Sequence, residues 1–233
     1  MKNRYEQAGV AVTCRNFDEY VKMFDLPENE LRAGEVLDIA AGGSSFTADA
    51  RERGLQAVAA DPRYAMAPDL LISEAEQEIA VSTKKLEQLT DQLDLTYYGD
   101  ISKHRAAREV SLKRFAAHFT QEEARASCYS AGSLPELPFA DNRFSLVLCS
   151  HFLFLYEEQF DFSFHKRSLL EMMRVCRPGG SIRIYPLMSL KWEPYPQLQQ
   201  LLEVVRENGG SAELFATKLP FIPGSEHGLL INV

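Results

Sequence analysis

The sequence predicts an α/β fold: a doubly wound, mostly parallel sheet of seven strands that ends in an antiparallel strand. Three observations support this class. Apolar runs of strand length alternate with helical patterns, turn residues separate them, and two apolar runs near the C-terminus flank a loop rich in proline and glycine. With 233 residues, 45% hydrophobic and 25% charged, the chain can form a full core. We therefore expect one domain over residues 1–233.

The first part of the predicted sheet is a strand, a helix and a second strand. Residues 35–40 form an apolar run that breaks into a turn of small residues, and Ser44 or Ser45 can cap the helix that follows. Residues 56–60 are nearly all apolar, as expected of a parallel strand covered on both faces. Asp61 follows directly, so an acid stands at the end of the second strand.

Two regions lie outside this regular alternation, and we expect both to be helical. Residues 17–24 have apolar side chains at helical spacing and predict a helical cap over residues 1–33. Residues 63–125 are far longer than a simple crossover requires. They contain helical patterns over 72–93 and 101–119, which we interpret as a helical insertion that acts as a lid over the open end of the sheet.

The second half of the chain returns to alternating strands and helices. A helical pattern ends in Arg177-Pro178-Gly179-Gly180, which is typical of a helix stop. We expect strands over residues 126–131, 144–149, 181–187, 212–217 and 228–233, with a further helix over 197–206.

Composition narrows the possible environments and partners. The net charge of −8 argues against a nucleic-acid surface, and no apolar stretch is long enough to span a bilayer. The four cysteines are scattered, without the paired spacing of a zinc or redox site, so we expect reduced thiols, a cytoplasmic protein and no metal. Basic residues cluster over 103–118. They are interpreted either as a solvated helix face or as a surface for an anionic substrate, with Arg105 and Arg108 as candidate ligands.

Four segments together resemble the class I S-adenosylmethionine-dependent methyltransferases. The resemblance covers residues 33–61 and 128–187, with the closing hairpin. Its segments are Leu37 to Ser44 for the glycine motif, Ala60-Asp61 for the ribose-binding acid, residues 132–147 for the "G-D-A-x-x-L-P-F-x-D-x-x-F-D-x-V" passage, and residues 171–180 for "E-x-x-R-V-L-K-P-G-G". Ala40 and Ser44 replace two of the family's glycines, and Ser133 stands where the family usually has an acid.

The resemblance implies a Rossmann-like methyltransferase fold that uses S-adenosylmethionine and releases S-adenosylhomocysteine. It implies that Asp38 orders the glycine loop, that Asp61 holds the ribose, and that residues 132–134 flank the adenine. The full set of implied cofactor contacts is Asp38, Ala40, Gly42, Ser44, Asp61, Pro62, Gly132, Ser133, Leu134, Cys149 and Ser150.

The acceptor is open between a small molecule and a protein, and the oligomeric state is open too. His151 and Tyr185 are candidate bases, and Tyr98 is a further candidate for contact with the substrate. Methyl transfer is expected to be an in-line displacement in which the protein mainly aligns the acceptor. Two alternatives remain: a non-catalytic module that binds S-adenosylmethionine or S-adenosylhomocysteine, and a nicotinamide oxidoreductase.

Overall fold

The computed structural model describes residues 5, 7 and 9–233, and its centre is one seven-stranded sheet. The strands, numbered in chain order, are β1 (Val36–Ile39), β2 (Ala57–Ala60), β3 (Tyr129–Ser130), β4 (Phe144–Ser150), β5 (Cys176–Tyr185), β6 (Ser211–Ala216) and β7 (His227–Asn232).

The strand order is β3-β2-β1-β4-β5-β7-β6. The first five of these strands pair in parallel, whereas β7 runs antiparallel to both β5 and β6. The chain order reverses direction between β1 and β4, which is the position where ligands collect in open α/β sheets. The predicted fold class is confirmed.

Eight α-helices surround the sheet in the described part of the chain. They are α1 (Phe17–Met23), α2 (Glu28–Leu31), α3 (Phe46–Glu52), α4 (Pro68–Glu87), α5 (Ile101–Phe119), α6 (Glu122–Cys128), α7 (Phe162–Val175) and α8 (Leu198–Glu207). Within this part of the chain, none of the helices is both long enough and apolar enough to cross a membrane.

The two faces of the sheet are buried against different helices because side chains alternate along a strand. Leu37 and Ile39 of β1 pack with α7 and α8. Val36, on the opposite face, packs with α1 and α3. The paired helices α4 and α5 cover the β2–β3 edge, where Tyr64, Phe115, Phe119 and Tyr129 form an aromatic cluster.

The structure shifts several boundaries that the sequence predicted. The strand expected over 126–131 is short because α6 continues to Cys128. Residues 177–180 lie inside β5 rather than in a turn before it, and the β4–β5 register shifts between Phe144 and Leu146. The helical cap predicted over 1–33 contains α1 and α2, while residues 1–4, 6 and 8 lie outside the described residues.

Candidate active site

A first cavity of about 260 Å³ opens at the carboxyl ends of β1 and β2. Open α/β sheets bind ligands at this edge. Six of the predicted cofactor residues line it: Ala40, Asp61, Pro62, Gly132, Ser133 and Leu134. The remaining walls are apolar, apart from Arg63, and come from Val10, Ile39, Phe152, Phe160 and Phe164. The structure therefore brings together the ribose and adenine sides of the predicted site.

Asp61 is fixed by backbone amides from two directions. Its Oδ2 accepts a hydrogen bond from the Gly42 amide at 3.0 Å, and its Oδ1 accepts one from the Arg63 amide at 2.9 Å. Burial raises the pKa of Asp61, and both amides and the Arg63 charge oppose that rise. A carboxylate offers about four lone-pair positions, so each oxygen retains acceptor capacity toward the cavity.

The turn after β1 uses left-handed backbone at two positions, with φ of 55° at Ala40 and 55° at Gly42. Glycine adopts this conformation without strain, whereas alanine does so at a cost. An extended segment, residues 10–15, covers the turn. Thr13 O accepts hydrogen bonds from the Gly43 amide at 2.9 Å and from Ser44 Oγ at 3.4 Å. Gly42 and Ser44 therefore lie beneath this segment and are not among the residues that line the cavity.

Asp38 lies below the turn. Alternation along β1 puts its side chain on the face opposite Leu37 and Ile39, toward α1, where the Tyr20 hydroxyl donates to Oδ1 at 3.1 Å. The other oxygen, Oδ2, has no hydrogen-bond partner among the described residues. Burial raises the pKa of Asp38 strongly, and the Tyr20 bond opposes that rise. Asp38 does not line the cavity.

The adenine-side loop is held from behind by α7. Glu171 Oε1 accepts the Leu137 amide at 2.6 Å, and Arg174 donates to the carbonyl of Phe139 at 2.9 Å and to that of Leu137 at 3.2 Å. Arg174 also pairs with Glu171 at 2.7 Å. The i, i+3 spacing of this acid and arginine puts both on one side of the helix. Their role in the structure is to shape the loop that carries residues 132–134.

A second cavity, of about 110 Å³, lies beside the first, and the segment 10–15 contributes to both. Val10 lines the first cavity, while residues 11–15 line the second. The walls of the second cavity are mainly apolar, with a few polar side chains among them, which is the usual composition of a small-molecule site. Its polar members are Tyr5, Thr13, Arg15, Glu78, Ser82, His104, Arg108, His151 and Tyr156.

A buried ion cluster forms one end of the second cavity. Glu19 Oε1 accepts from Arg108 Nη1 at 2.6 Å and from the Tyr98 hydroxyl. Arg108 also donates to Cys14 O at 2.9 Å, and its Nη2 lies 3.1 Å from His104 Nε2. Burial, followed by the charge of Arg108, lowers the pKa of His104 to about 2. His104 is therefore neutral at physiological pH.

Part of the chain matches a known protein family. Residues 100–184 match the family model described as a methyltransferase domain. This match supports the resemblance found in the sequence and an enzyme of the methyltransferase class. It covers α5 to β4 and most of β5, and it begins after the turn between β1 and α3.

Relatives of the domain span most of its length. An uncharacterized protein of Methanocaldococcus jannaschii is 28% identical over 94% of this chain and 94% of its own. A TehB-like SAM-dependent methyltransferase of Corynebacterium glutamicum is 15% identical, covers 86% of this chain and 80% of its own, and has a TM-score of 0.46. The 1,6-didemethyltoxoflavin-N1-methyltransferase of Burkholderia thailandensis is 16% identical, covers 86% of this chain and 70% of its own, and also has a TM-score of 0.46.

The two candidate bases of the protein have different surroundings. His151 lines the second cavity, adopts a left-handed φ of 50° and is buried; burial holds its pKa well below the usual value. The Tyr185 hydroxyl instead donates to Leu219 O at 3.2 Å and contacts Ser225 Oγ at 3.0 Å, and Tyr185 lines neither cavity. A role for either residue as a base stays a prediction.

The remaining predicted residues divide between the core, the cavity wall and the surface. Cys149 is fully buried in the sheet, and Ser150 Oγ lies 3.0 Å from His151 Nδ1; neither lines a cavity. Tyr98 and Arg108 belong to the buried ion cluster, and Arg108 also lines the second cavity. Arg105 is exposed and pairs with Glu109 at 2.7 Å on the outer face of α5.

The sequence patterns did not predict a role for the segment 10–15 or for the polar residues Arg15 and Glu78. A short apolar stretch before a helix gives no pattern that predicts contact with a turn after β1. Glu78 lies in a polar helix where nothing distinguishes it from solvated acids. No cluster of three or more metal-binding side chains occurs in the described part of the chain.

Proposed function

We propose that the protein uses S-adenosylmethionine to methylate a small molecule bound in the second cavity. The observation that carries this proposal is the juxtaposition of two cavities at the switch point of the sheet. The first has the acid, the loop and the apolar walls that suit an adenosine group, and the second borders His151 after β4.

The residues of the first cavity fit the cofactor. Asp61 retains acceptor capacity for two ribose hydroxyls, and Ile39 and Leu134 supply apolar surface for an adenine ring. Ser133, which is exposed, offers a hydroxyl in place of the acid common in the family. Glu171 and Arg174 bind Leu137 and Phe139, which continue the loop that carries residues 132–134.

S-adenosylmethionine, when bound, supplies an activated methyl group on a sulfonium. The protein then has to align the acceptor and exclude water. The apolar walls of the second cavity exclude water, and the segment 10–15 defines the border across which donor and acceptor must meet. The lowered pKa of His151 makes it a weak base at neutral pH, so an acceptor that is already nucleophilic suits this site best.

The dimensions of the second cavity favour a small-molecule acceptor over a protein side chain. The cavity, of about 110 Å³, lies beneath the helical insertion and is bordered by α4 and α5. Ile79 and Ser82 of α4 face His104 and Arg108 of α5 across it. A protein acceptor would have to insert a side chain beneath this cover.

Calorimetric titration with S-adenosylmethionine and S-adenosylhomocysteine tests the proposal. The parent should bind both, and the Asp61→Ala variant should lose at least about tenfold in affinity, equivalent to about 1.4 kcal/mol. Asp100→Ala is the matched control, because Asp100 also accepts a hydrogen bond from a backbone amide, at 2.7 Å, but does not line the first cavity. It should bind like the parent.

Each other outcome favours a different function. Absence of binding to the parent would refute the proposal, and tighter binding of NADH would favour the oxidoreductase. Binding without methyl transfer to any member of a broad acceptor panel would favour the non-catalytic module. Equal loss in Asp61→Ala and Asp100→Ala would mean that general destabilisation, rather than a lost ribose contact, weakens binding.

A further inference from the structure

Three residues that line the second cavity have buried polar atoms without hydrogen-bond partners in the described part of the chain. These atoms are Nε and Nη1 of Arg15, Oε1 of Glu78 and Nδ1 of His104. Buried polar groups in folded proteins are nearly always paired, and an unpaired one is costly. Three such residues around one cavity therefore indicate that a ligand completes their bonding.

Of these three residues, Arg15 has the most buried polar atoms without a hydrogen-bond partner, its Nε and Nη1. Its backbone is fixed to the turn after β1, since its amide donates to Ser44 Oγ at 3.1 Å and its carbonyl accepts from the Ser45 amide at 3.0 Å. The residue is 6% exposed. Its Nε and Nη1 have no hydrogen-bond partner among the described residues, and Nη1 has only the ion pair with Glu19 at 3.9 Å, so both atoms can donate to a ligand.

The neighbouring acid does not neutralise this charge. Glu19 Oε1 lies 3.9 Å from Arg15 Nη1, but it already accepts the much shorter bond from Arg108, at 2.6 Å, and the bond from Tyr98. One buried carboxylate thus serves two buried guanidinium groups. Glu78 also lines this cavity but forms no ion pair with Arg15 among the described residues. A weakly paired buried charge is unfavourable, so this end of the cavity favours an anionic ligand.

The shape and polarity of the cavity narrow the class of anion. A guanidinium binds a planar carboxylate through two parallel hydrogen bonds. The cavity also has apolar walls, from Val12, Ile79, Leu86, Leu93, Leu155 and Phe221. Its volume of about 110 Å³ is smaller than the about 150 Å³ of an apolar cavity that holds benzene, so the ligand is smaller than a substituted ring. Glu78 supplies an unpaired acceptor for a hydroxyl or amine.

We infer that the second cavity binds a small carboxylate, with Arg15 holding the anion and Glu78 accepting a hydrogen bond from a hydroxyl or amine. This inference rests on the proposed function for its identification of the ligand as the methyl acceptor. The binding of the anion follows from the side chains of the cavity alone.

Calorimetry with two isosteric probes tests the inference. The parent, with and without S-adenosylhomocysteine, is titrated with 3-hydroxypropanoate and with the uncharged 3-hydroxypropanamide. We expect the parent to prefer the carboxylate by at least about tenfold, the scale of a charge-assisted pair. Arg15→Met should abolish this preference, and Glu78→Gln should weaken binding of the hydroxylated acid more than that of propanoate. Arg206→Met, at an exposed arginine of α8, is the matched control and should bind like the parent.

The carboxylate that Arg15 binds could also be that of the amino-acid half of the cofactor. A second pair of probes distinguishes the carboxylate of the cofactor from that of the acceptor. S-adenosylhomocysteine has this carboxylate, whereas 5′-methylthioadenosine lacks it. If Arg15→Met binds both as the parent does, the acceptor is the source and the inference holds. A selective loss of S-adenosylhomocysteine affinity would overturn it, and so would a parent that binds the acid and the amide equally.

Two further results separate the anion site from a variant that fails to fold and from a failure of the proposed function. Arg15→Lys retains the charge but not the planar fork, so it should keep part of the preference if Arg15→Met fails to fold. If the parent binds no S-adenosylhomocysteine but still prefers the carboxylate, the proposed function fails while the anion site stands.

Discussion

Replacement of Gly42 by alanine tests the contact between the turn after β1 and the segment 10–15. Gly42 has a φ of 55°, which costs an L-residue about 1–2 kcal/mol. A Cβ at this position would also lie 3.0 Å from Thr13 O and 3.1 Å from Thr13 N, and both are backbone atoms that cannot rotate away. The segment must therefore shift, which weakens the 2.9 Å bond from the Gly43 amide to Thr13 O.

The expected loss follows from these two effects. The bond from Gly43 contributes about 1 kcal/mol. Together with the backbone strain, it should lower the free energy of unfolding of Gly42→Ala by about 2–3 kcal/mol. This is a large fraction of the stability of a typical domain, about 5–15 kcal/mol. Urea denaturation followed by circular dichroism measures the loss, and hydrogen exchange should be faster in a peptide that contains residues 10–15.

Gly54→Ala is the control for backbone strain alone. Gly54 has a φ of 76°, and a Cβ there would have no neighbour within 4 Å. The loss in Gly42→Ala should therefore exceed that in Gly54→Ala by at least about 1 kcal/mol, the contribution of the bond. Equal losses, or unchanged exchange over residues 10–15, would refute the contact as the reason.

Two further predictions concern the buried ion cluster. Glu19→Gln leaves Arg15 and Arg108 without a carboxylate and should cost about 3–5 kcal/mol in urea denaturation. The exposed Glu28→Gln, which also breaks an arginine pair, should cost under about 1 kcal/mol. His104 has a folded pKa lowered to about 2, mainly by burial, against 6.5 when unfolded. Only the unfolded state gains this proton as pH falls from 6.5, so stability is lost on acidification. His104→Gln should reduce the loss between pH 7 and 5 by about 2 kcal/mol.

Each of these predictions has a result that contradicts it. If Glu19→Gln and Glu28→Gln cost the same, Glu19 is not the carboxylate that the two buried arginines require. If the stability of His104→Gln falls on acidification as steeply as that of the parent, His104 is not buried in its neutral form. Melting curves of both proteins across this pH range provide the comparison.

The alternation of apolar runs and turns was sufficient to predict the sheet, because a parallel strand covered on both faces needs little but apolar residues. The closing hairpin was equally predictable, and β6 and β7 fall within one residue of the expected boundaries. The short strand β3 was less predictable. Its limits depend on how far α6 continues before the chain reaches the edge of the sheet, which local sequence does not determine.

The residues of the candidate site also divide into those that a local motif predicts and those that it does not. Asp61 and residues 132–134 each lie in a local motif whose spacing defines their position, and the structure brings them to one cavity. Arg15 belongs to no such motif. Its importance comes from Glu19 being already bound to Arg108, a residue from a distant part of the chain. Contacts of that kind have no local sequence pattern.

Backbone propensity and apolar periodicity act over a few neighbouring residues, so local sequence was sufficient to predict the order of strands and helices, the turn after β1, and the acid that follows β2. Tertiary packing alone explains why residues 10–15 cover the turn, why Asp38 lies against Tyr20, and why Arg15 lines a cavity with its Nε and Nη1 lacking hydrogen bonds. Each of these depends on which distant groups share a buried space, where an unpaired charge is costly and a paired one is stable.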